Sequence, residues 1–364
     1  MRFLVACAGY PDLDGGFNQP FVRTRSVYYK EHGAEFDVLN FSAKDNYVID
    51  GVQVYSLKSL NNTLKERHYD MLICHQANLR NHFIFLLKYG RYFPKIIFFY
   101  HGHEVLKTSK VYSKPYAYQK VNIILKILRD FYDDLKLLVW RQYIERNYKK
   151  LWHIYVSNWM KTEFDKWVHP DSKCMENRCF ITYNSIGKVF EENNYNSSSH
   201  KEYDFVTIRA MLDKSKYAVD IVNNLATLNP NKKFLLVGMG DFFKYNTKAD
   251  NLDWLNKKLD HSEMLCILNA SKCALMPTRT DAQGVMMCEM ATFGIPLITS
   301  DIPVCHEVFD KFPGIGMINN DDYKNADLDK IYRSIVGEHA KDNRYFYSVV
   351  GKQELDIISK IANL

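Results

Sequence analysis

Short apolar runs alternate with amphipathic stretches along all 364 residues of the chain. Runs that are continuous in Val, Ile, Leu and Phe and only a few residues long predict buried β-strands, whereas the stretches between them have helical spacing. The predicted strands cover residues 2–8, 36–41, 70–75, 95–101, 151–157, 179–184, 203–208, 232–238, 272–278, 295–300 and 315–319. This alternation predicts an α/β protein with parallel sheets that are covered by helices on both faces.

The alternation of strands and helices stops at the polar stretch "EENNYNSSSHKEY" of residues 191–203 and then begins again. A stretch so rich in Asn and Ser marks a domain boundary, and the chain is long enough for two cores. The sequence therefore predicts two doubly wound domains, residues 1–190 and 191–343. The last segment, 344–364, has helical periodicity and no strand after it.

One long segment breaks this rhythm. Residues 114–150 show a continuous helical pattern crowded with Lys, Arg, Tyr and Leu. In one interpretation it is a helix pair whose apolar stripe packs on the N-terminal domain and whose charges are solvated. In the other it is a basic, aromatic-rich surface that rests on an anionic membrane or receives a lipid-linked substrate. Acids at Asp130, Asp133 and Asp134 weigh against the second interpretation, and the sequence leaves both open.

Composition and charge narrow the class of protein. The net charge of +6 favours anionic partners such as phosphates and nucleotides, but it is too small for a dedicated nucleic-acid-binding protein. The eight cysteines include no CxxC pair and lie mostly in apolar runs, which predicts reduced, buried side chains and no metal site. The sequence shows neither a signal-peptide pattern nor a long apolar run, so we expect a cytoplasmic protein that does not span a membrane.

The stretch "TDAQGVMMCEM", residues 280–290, carries the most specific candidate chemistry. It begins as a loop at the carboxyl end of a predicted strand, where open α/β sheets bind their ligands. Its remainder predicts a helix whose N-terminal N–H groups suit a phosphate, and Gly284 lets the backbone approach a ligand closely. Asp281 and Glu289 are then candidate ligand-binding acids. An acid–x7–acid spacing is common by chance, so spacing alone favours Asp281 as a helix cap and Glu289 as a solvated side chain.

The wider run "LMPTRTDAQGVMMCEMATFGIPLITSDIPVCHEVF" resembles the signature of the group-1, family 4 type glycosyltransferases, which are retaining enzymes of the GT-B fold. Two departures concern the start of that signature. Asp281 stands where a Glu is usual, and residues 282–284 replace Gly-aromatic-Gly. The positions that match are Glu289, Ala291, Gly294, Pro296 and Glu307.

The resemblance implies a role for the residues of this signature. Glu289 would hold the ribose hydroxyls of the nucleotide, and Asp281 would contact the transferred sugar. Because Asp is shorter than the usual Glu, it leaves the sugar preference more open than the reaction. The donor sugar and diphosphate would lie near the backbone N–H groups of Gln283, Gly284, Val285 and Met286, and Glu307 would close the donor-binding set.

A second motif lies upstream, in "TIRAMLDKSKY" and "FLLVGMGD". Arg209 and Lys214 are five positions apart, as in the family, although the Gly that usually precedes the Arg is Ile208 here. An Arg fork and a Lys at a strand end suit a diphosphate leaving group whose developing charge must be neutralised. Without the downstream signature, both would be ordinary surface charges. Gly238 matches a family strand whose Gly-x-Gly loop lies beneath the nucleotide, although an ordinary tight turn has the same pattern.

The N-terminal half resembles the family more loosely. Gly15 and Gly16 match the glycine pair of the first loop, which lies against the donor phosphates or the acceptor. The preceding Asp-Leu-Asp of residues 12–14 is interpreted as turn chemistry. His101 matches a histidine that reaches the donor sugar, with His103 as the alternative, and both are also consistent with surface loop histidines. Further along, Ser157 is expected to be an N-cap, and Asn184 matches the inter-domain hinge.

From this resemblance we expect two Rossmann-like domains that face each other across a cleft, with the final helix returning to the first domain. The expected reaction is the transfer of a hexose-type sugar from a nucleoside-diphosphate sugar to a hydroxyl of a glycan or lipid-linked acceptor, and the expected nucleotide of the donor is UDP. The expected catalytic residues are Arg209, Lys214, His101 and Asp281. The resemblance implies no metal and no cofactor beyond the donor, and it suggests bacterial surface-polysaccharide synthesis at the inner face of the cell membrane.

Two alternatives belong to other classes. A GT-B nucleotide-sugar epimerase would need an acid and a base that the sequence does not reveal. A catalytically degenerate GT-B subunit would bind a partner glycosyltransferase or a nucleotide sugar without turnover, and the Asp281 departure keeps this alternative open. No nucleic-acid partner is expected.

Overall fold

The computed structural model describes residues 1–11, 19–120 and 122–364. The chain divides into two compact units, and each is built around its own sheet. The first unit comprises Met1–Thr108, Arg129–Ser185 and Tyr347–Leu364, and the second comprises Ser109–Leu128 and Ile186–Phe346. The chain therefore contributes to the second unit twice.

The first unit contains a sheet that has eight strands among the described residues. These are β1 (Arg2–Cys7), β2 (Glu35–Asn40), β3 (Tyr47–Ile49), β4 (Val52–Tyr55), β5 (Met71–His75), β6 (Lys95–Tyr100), β7 (Leu151–Tyr155) and β8 (Cys179–Ile181). Their order is β3-β4-β2-β1-β5-β6-β7-β8, and only the β3–β4 pair is antiparallel in the described part of the chain. The chain winds outward from β1 and then returns to its other side at β5, so the carboxyl ends of β1 and β5 form the switch point of this sheet.

The second unit contains a fully parallel sheet of six described strands. These are β9 (Tyr203–Met211), β10 (Phe234–Met239), β11 (Leu252–Leu255), β12 (Ser271–Met276), β13 (Leu297–Ser300) and β14 (Ile315–Ile318). The order β11-β10-β9-β12-β13-β14 places the switch point between β9 and β12. Buried side chains of β9, β10 and β12 and of the helices beside them form its hydrophobic core.

Helices flank both sheets, as parallel strands require. They are α1 (Pro20–Glu31), α2 (Leu57–Glu66), α3 (Ile84–Tyr89), α4 (Thr108–Val111), α5 (Ile123–Asn147), α6 (Asn158–Trp167), α7 (Ser172–Met175), α8 (Lys188–Glu192), α9 (Val219–Leu228), α10 (Phe242–Tyr245), α11 (His261–Asn269), α12 (Val285–Phe293), α13 (Pro303–Val308), α14 (Leu328–Ile335) and α15 (Tyr347–Ala362). None of the helices found in the described residues is both long and apolar enough to cross a membrane.

Every strand predicted from the sequence is present, with ends that differ by a few residues. The expected N-cap is also confirmed, because the Ser157 hydroxyl accepts the N–H of Met160 at 3.0 Å. Three strands were not predicted, namely β3, β4 and β11. The first two form a hairpin closed by Asp50 and Gly51, whose φ angles of 52° and 70° are the left-handed values that tight hairpin turns need.

The prediction of one helical pattern over residues 114–150 is wrong at its start. Residues 114–120 are not helical, and α5 begins at Ile123. The side-chain oxygen of Asn122 accepts the N–H groups of Ile124 and Leu125 at 2.9 and 3.3 Å, which caps the helix at this point. Pro115 also disfavours a helix that would run through the preceding residue.

The final helix belongs to the first unit and is anchored there by a buried ion pair. The Glu354 carboxylate accepts hydrogen bonds from Arg25 Nε at 2.7 Å and from the Tyr29 hydroxyl at 2.9 Å, and both donors lie on α1. Arg25 also donates to the Asn184 side chain at 2.9 Å. Because these groups are buried, each charge depends on its partners for the interactions that water would otherwise provide.

Replacing Glu354 with Ala should destabilise the protein by about 3–5 kcal/mol, because Arg25 would keep its charge in the interior without its carboxylate partner. Urea unfolding measures the loss. Asp165→Ala is the matched control, since it removes an exposed pair in which Lys161 and Asp165 are 2.6 Å apart. That change should cost about 0.5 kcal/mol or less, and equal effects of the two variants would contradict this account of α15.

Candidate functional site

The loops that follow β9 and β12 meet at the switch point of the second sheet. Because β9 and β12 are adjacent and parallel, their carboxyl ends lie at the same edge. Two hydrogen bonds connect the loop after β12 to the end of β9 and to the loop that follows β9. Arg209 Nη2 donates to the Pro277 carbonyl at 2.7 Å, and the Arg279 N–H donates to the Lys216 carbonyl at 2.8 Å. This edge is where an open α/β sheet places its ligand.

Arg209 is a buried cation whose charge is only partly compensated. Its guanidinium lies 5.0 Å from the centroid of the Tyr217 ring, and its Nε has no hydrogen-bond partner among the described residues. Burial lowers the pKa of Arg209, while Tyr217 and Asp281 raise it. A buried N–H without an acceptor is costly, so Arg209 is suited to an anion with oxygen acceptors.

Helix α12 begins directly after the loop that contains Asp281. Its N-cap is Gly284, with a left-handed φ of 77°, and within the described structure no side chain caps this end. The first turn holds no acid, so the backbone N–H groups of Val285 and Met286 are available for an anion. Asp281 is not the cap, because its Oδ1 accepts the N–H of the next residue at 2.8 Å. Gln283 is buried, and its Nε2 contacts Cys288 Sγ at 3.7 Å.

Glu289 is buried inside α12 and is not the solvated side chain that its spacing also allowed. Its Oε1 accepts the N–H of Gly187 at 3.2 Å. Burial raises the pKa of Glu289 to about 7, and the Gly187 N–H lowers it. A Cβ at Gly187 would lie 2.8 Å from His261 Cε1 and 3.5 Å from Glu289 Oε1, so only glycine fits without a shift. Gly187 and His261 were not predicted, and the glycine after the expected hinge was the one available signal.

The glycines of "FLLVGMGD" lie against the loop that carries Lys214. A Cβ at Gly238 would lie 2.2 Å from the Arg209 carbonyl oxygen, and φ at Gly238 is 151°, so this position requires glycine. Both carboxylate oxygens of Asp213 accept the N–H of Asp241, at 3.1 and 3.0 Å. The loops after β9 and β10 are therefore joined beside the candidate anion site.

Lys214 and Glu307 are less constrained than Arg209. Lys214 is exposed in the loop after β9, and Glu307 is partly buried in α13. The structure brings Asp281 close enough to Arg209 to affect its pKa. It also places Gly238 against Arg209, whereas Glu289 contacts Gly187 instead.

The segment that lies over these loops includes residues 114–120, which were predicted to be helical. This arm, residues 109–120, contacts the loops after β9, β10 and β12 within the second unit. The Tyr116 hydroxyl donates to Asp220 at 3.0 Å, and the Tyr118 hydroxyl donates to Asp213 at 2.6 Å. The Tyr118 ring also stacks on Tyr245, with centroids 4.6 Å apart.

Asp220 connects the arm to the loop after β12. Asp220 pairs with Arg279 through two hydrogen bonds of 2.8 and 2.6 Å, in addition to its bond with Tyr116. The Thr280 hydroxyl donates to the Val111 carbonyl at 2.9 Å. These contacts fix the loops on both sides of the switch point.

No family model and no curated protein matches this sequence. Solved structures do match along nearly the whole chain. A sucrose-phosphate synthase from Thermosynechococcus elongatus aligns with a TM-score of 0.68 at 12% identity, over 99% of this chain and 98% of that one. Anabaena HepE in complex with UDP and glucose aligns with a TM-score of 0.65 at 12% identity, over 99% and 100%. An α,α-trehalose-phosphate synthase (UDP-forming) from Burkholderia vietnamiensis aligns with a TM-score of 0.63 at 9% identity, over 99% and 97%.

The chain has the GT-B fold. The fold class expected from the sequence, two α/β domains with parallel sheets, is confirmed.

The first unit of this GT-B chain has its own polar cluster at the carboxyl edge of its sheet. His75 Nδ1 and His101 Nε2 lie 3.0 Å apart, and His101 also hydrogen-bonds with Asn184. Burial lowers the pKa of both histidines well below the usual value, and the Arg25 cation lowers it further. The pair is therefore neutral at physiological pH. His103, the alternative candidate, is exposed.

Two other expectations concern the first loop and a metal site. Gly15 and Gly16, with the acids of residues 12–14, lie outside the described residues. In the part of the chain that the structure describes, no group of His, Cys, Asp or Glu side chains could hold a metal ion.

Replacing Glu289 with Gln should stabilise the protein at high pH but not at low pH. The pKa of Glu289 is raised from 4.5 to about 7, so the folded state keeps a proton that the unfolded state releases in this window. Stability therefore falls as pH rises through the window, by roughly 3 kcal/mol in total, and an amide avoids that loss. The free energies of unfolding of the variant and the wild type, measured at about pH 4.5 and about pH 8.5, test this expectation. A constant difference between variant and wild type would contradict the raised pKa.

Replacing Tyr118 with Phe should loosen the loop that carries Lys214. The change removes the hydrogen bond to Asp213 and keeps the ring on Tyr245, so we expect a loss of about 1–2 kcal/mol. Amide hydrogen exchange should accelerate in residues 213–217. Tyr132→Phe on the exposed side of α5 is the control, and an equal exchange pattern in both variants would contradict a role for the arm.

Proposed function

We propose that the protein is a glycosyltransferase that moves a hexose-type sugar from a nucleoside-diphosphate sugar to a hydroxyl of a glycan or lipid-linked acceptor. We further propose that the donor is UDP-linked, that the anomeric configuration is retained, and that neither a metal nor another cofactor takes part. The sequence resemblance favours bacterial surface-polysaccharide or glycoconjugate synthesis, in the cytoplasm at the inner face of the membrane.

The observation that carries this proposal is the unpaired Nε of buried Arg209 beside the uncapped N-terminus of α12. Both features lie at the switch point of the second sheet, and both suit an anion. A diphosphate needs several such donors, and exposed Lys214 on the adjacent loop supplies a further cation. An epimerase would need an acid and a base in addition, which the sequence does not reveal.

The uridine nucleotide is supported by the structural neighbours. HepE was solved in complex with UDP and glucose, and the Burkholderia trehalose-phosphate synthase is described as UDP-forming. In this chain, Glu289 is the proposed partner of the ribose hydroxyls. In its ionised form it would accept the hydrogen bonds that these hydroxyls donate. Because the pKa of Glu289 is about 7, donor binding should strengthen as pH rises through neutrality.

The proposed reaction is a displacement at the anomeric carbon. The acceptor oxygen forms a bond to that carbon on the face from which the diphosphate leaves, and the bond between the carbon and the diphosphate oxygen breaks. The acceptor proton moves to the departing diphosphate, so the products are the glycoside and UDP. Arg209, Lys214 and the N–H groups of α12 would stabilise the charge that develops on the leaving group.

The remaining candidate residues keep proposed roles from the resemblance. Asp281 and His101 would both contact the sugar of the donor, which is the sugar that is transferred. Gln283, Gly284 and Glu307 would complete the donor site.

Lys214→Ala should lower kcat by about 10²–10³ fold, because a cation that neutralises the leaving group acts mainly in the transition state. Since Lys214 is exposed, the melting temperature should not change. Turnover of UDP-sugars, measured as released UDP, provides the readout. Lys330→Ala, an exposed lysine of α14, is the control and should behave like the wild type. Equal activity of both variants would remove Lys214 from the mechanism.

A thermal-shift screen with UDP, GDP, ADP and their sugars tests the class of ligand, because a ligand that binds the folded state raises the melting temperature. We expect UDP compounds to stabilise the wild type and to lose this effect in Glu289→Ala. Binding without turnover of any donor would favour the degenerate subunit, and stabilisation by no nucleotide would overturn the proposal.

A further inference from the structure

Helix α5 is apolar on two opposite faces. One face is buried in the first unit through Leu137, Trp140 and Ile144. The opposite face is exposed, and the exposed fraction reaches 69% at Phe131 and 68% at Ile124. The exposed apolar residues of this face recur at intervals of four and three residues, which places them on one stripe of the helix. This outer face consists of Ile124, Leu128, Phe131, Leu135 and Leu138.

The first two turns of α5 are apolar well beyond this stripe. Ile123, Leu125 and Ile127 are also exposed. With about 100° between successive residues, the exposed apolar side chains span more than half of the circumference. A coiled-coil seam is a narrow stripe, so a helix dimer would leave part of this surface in water. A helix lying in the interface of a bilayer buries a broad arc.

The charges around the outer face favour an anionic surface. Residues 120–129 contain three basic residues, Lys120, Lys126 and Arg129, and no acidic residue. Asp130, which is partly buried, follows this run directly, and Asp134, the exposed acid farther along the helix, is paired with Lys107 at 2.5 Å. An anionic lipid headgroup complements these basic side chains.

The neighbouring helix α3 adds to this surface. Phe83, just before α3, contacts Trp140 of α5 with ring centroids 5.8 Å apart. Ile84 and Leu87 of α3 are exposed, Leu87 by 67%. The segment 79–95 contains four basic residues and no acid. Exposed apolar and basic side chains therefore occur together on two helices that are in contact.

We propose that the outer face of α5 docks on the surface of a bilayer that contains anionic phospholipid. The apolar side chains enter the boundary of the acyl chains, and Lys126 and Arg129 lie among the headgroups. Docking itself does not depend on sugar transfer. Its consequence, that the enzyme works on an acceptor held in the same bilayer, rests on the proposed function.

Flotation with two kinds of vesicle tests the docking. The wild-type protein should bind vesicles of phosphatidylcholine mixed with phosphatidylglycerol, and it should bind much less to phosphatidylcholine alone. Raised salt should weaken the binding, because the headgroup attraction is screened. Equal binding to both kinds of vesicle, or no binding to either, would overturn the proposal.

Two sets of variants separate the apolar and the charged contributions. Ile124→Ser/Phe131→Ser/Leu135→Ser should reduce binding to the anionic vesicles by about tenfold or more. Lys126→Gln/Arg129→Gln should reduce it less and should weaken its salt dependence. Leu228→Ser/Val336→Ser is the control, since it removes two apolar side chains of similar exposure from the second unit. Unchanged binding in the triple serine variant would overturn the proposal.

Sedimentation without lipid tests whether a second copy of the chain, rather than a bilayer, covers the outer face of α5. A wild-type dimer that becomes a monomer in the triple serine variant, together with an absence of vesicle binding, would identify a second copy as the partner and overturn the proposal. Failure of the proposed function can be distinguished from failure of the docking proposal, because Lys214→Ala should float with vesicles like the wild type. The triple serine variant should release UDP normally in solution and lose transfer only to an acceptor embedded in vesicles.

Discussion

The ion pair between Arg25 and Glu354 is the interaction on which the first unit depends. It joins residues that are 329 positions apart in the sequence, and together with the bond from the Tyr29 hydroxyl to Glu354 it anchors the last helix on α1. The same guanidinium contacts Asn184 and lies 4.5 Å from the centroid of the Phe99 ring. Arg25 is thus saturated by its neighbours. Burial lowers the pKa of the His75–His101 pair, and the positive charge of Arg25 lowers it further. One side chain therefore contributes both to the stability of this unit and to the neutrality of these two histidines.

Arg209 in the second unit presents the opposite case. Its neighbours are a carbonyl, an aromatic ring and an acid that acts only through its charge. A buried cation that its own fold does not neutralise costs stability, and it offers binding energy to an anion that completes its hydrogen bonds. The contrast between the two arginines explains why one is structural and the other is the centre of the proposed donor site.

Prediction from the sequence succeeded where the information is local. Unbroken apolar runs identified the buried parallel strands, because such strands have no solvent face to interrupt the pattern. The hairpin of β3 and β4 was missed although Asp50 and Gly51 form a recognisable turn, since its strands are short and partly exposed. The resemblance indicated Arg209, Gly284 and Glu289, but it could not show that Glu289 is buried against Gly187, a residue 102 positions away.

The arm was mispredicted for the same reason. Its tyrosines resemble part of a helical pattern, and what fixes them is Asp213 and Asp220, which lie about a hundred residues downstream. Only the tertiary structure reveals that Tyr116 and Tyr118 are hydrogen-bond donors to loops of the other sheet.

The arm also determines how this chain can be cut. The second unit is discontinuous, because Ser109–Leu128 precedes the remainder by more than fifty residues of first-unit sequence. A fragment made only of residues 186–346 would lack the tyrosines that bind Asp213 and Asp220 and would leave the Tyr245 ring without its stacking partner. The second unit is therefore not a transferable module, and chimeras with other proteins of the GT-B fold need two junctions within residues 100–130 as well as those near residues 186 and 346.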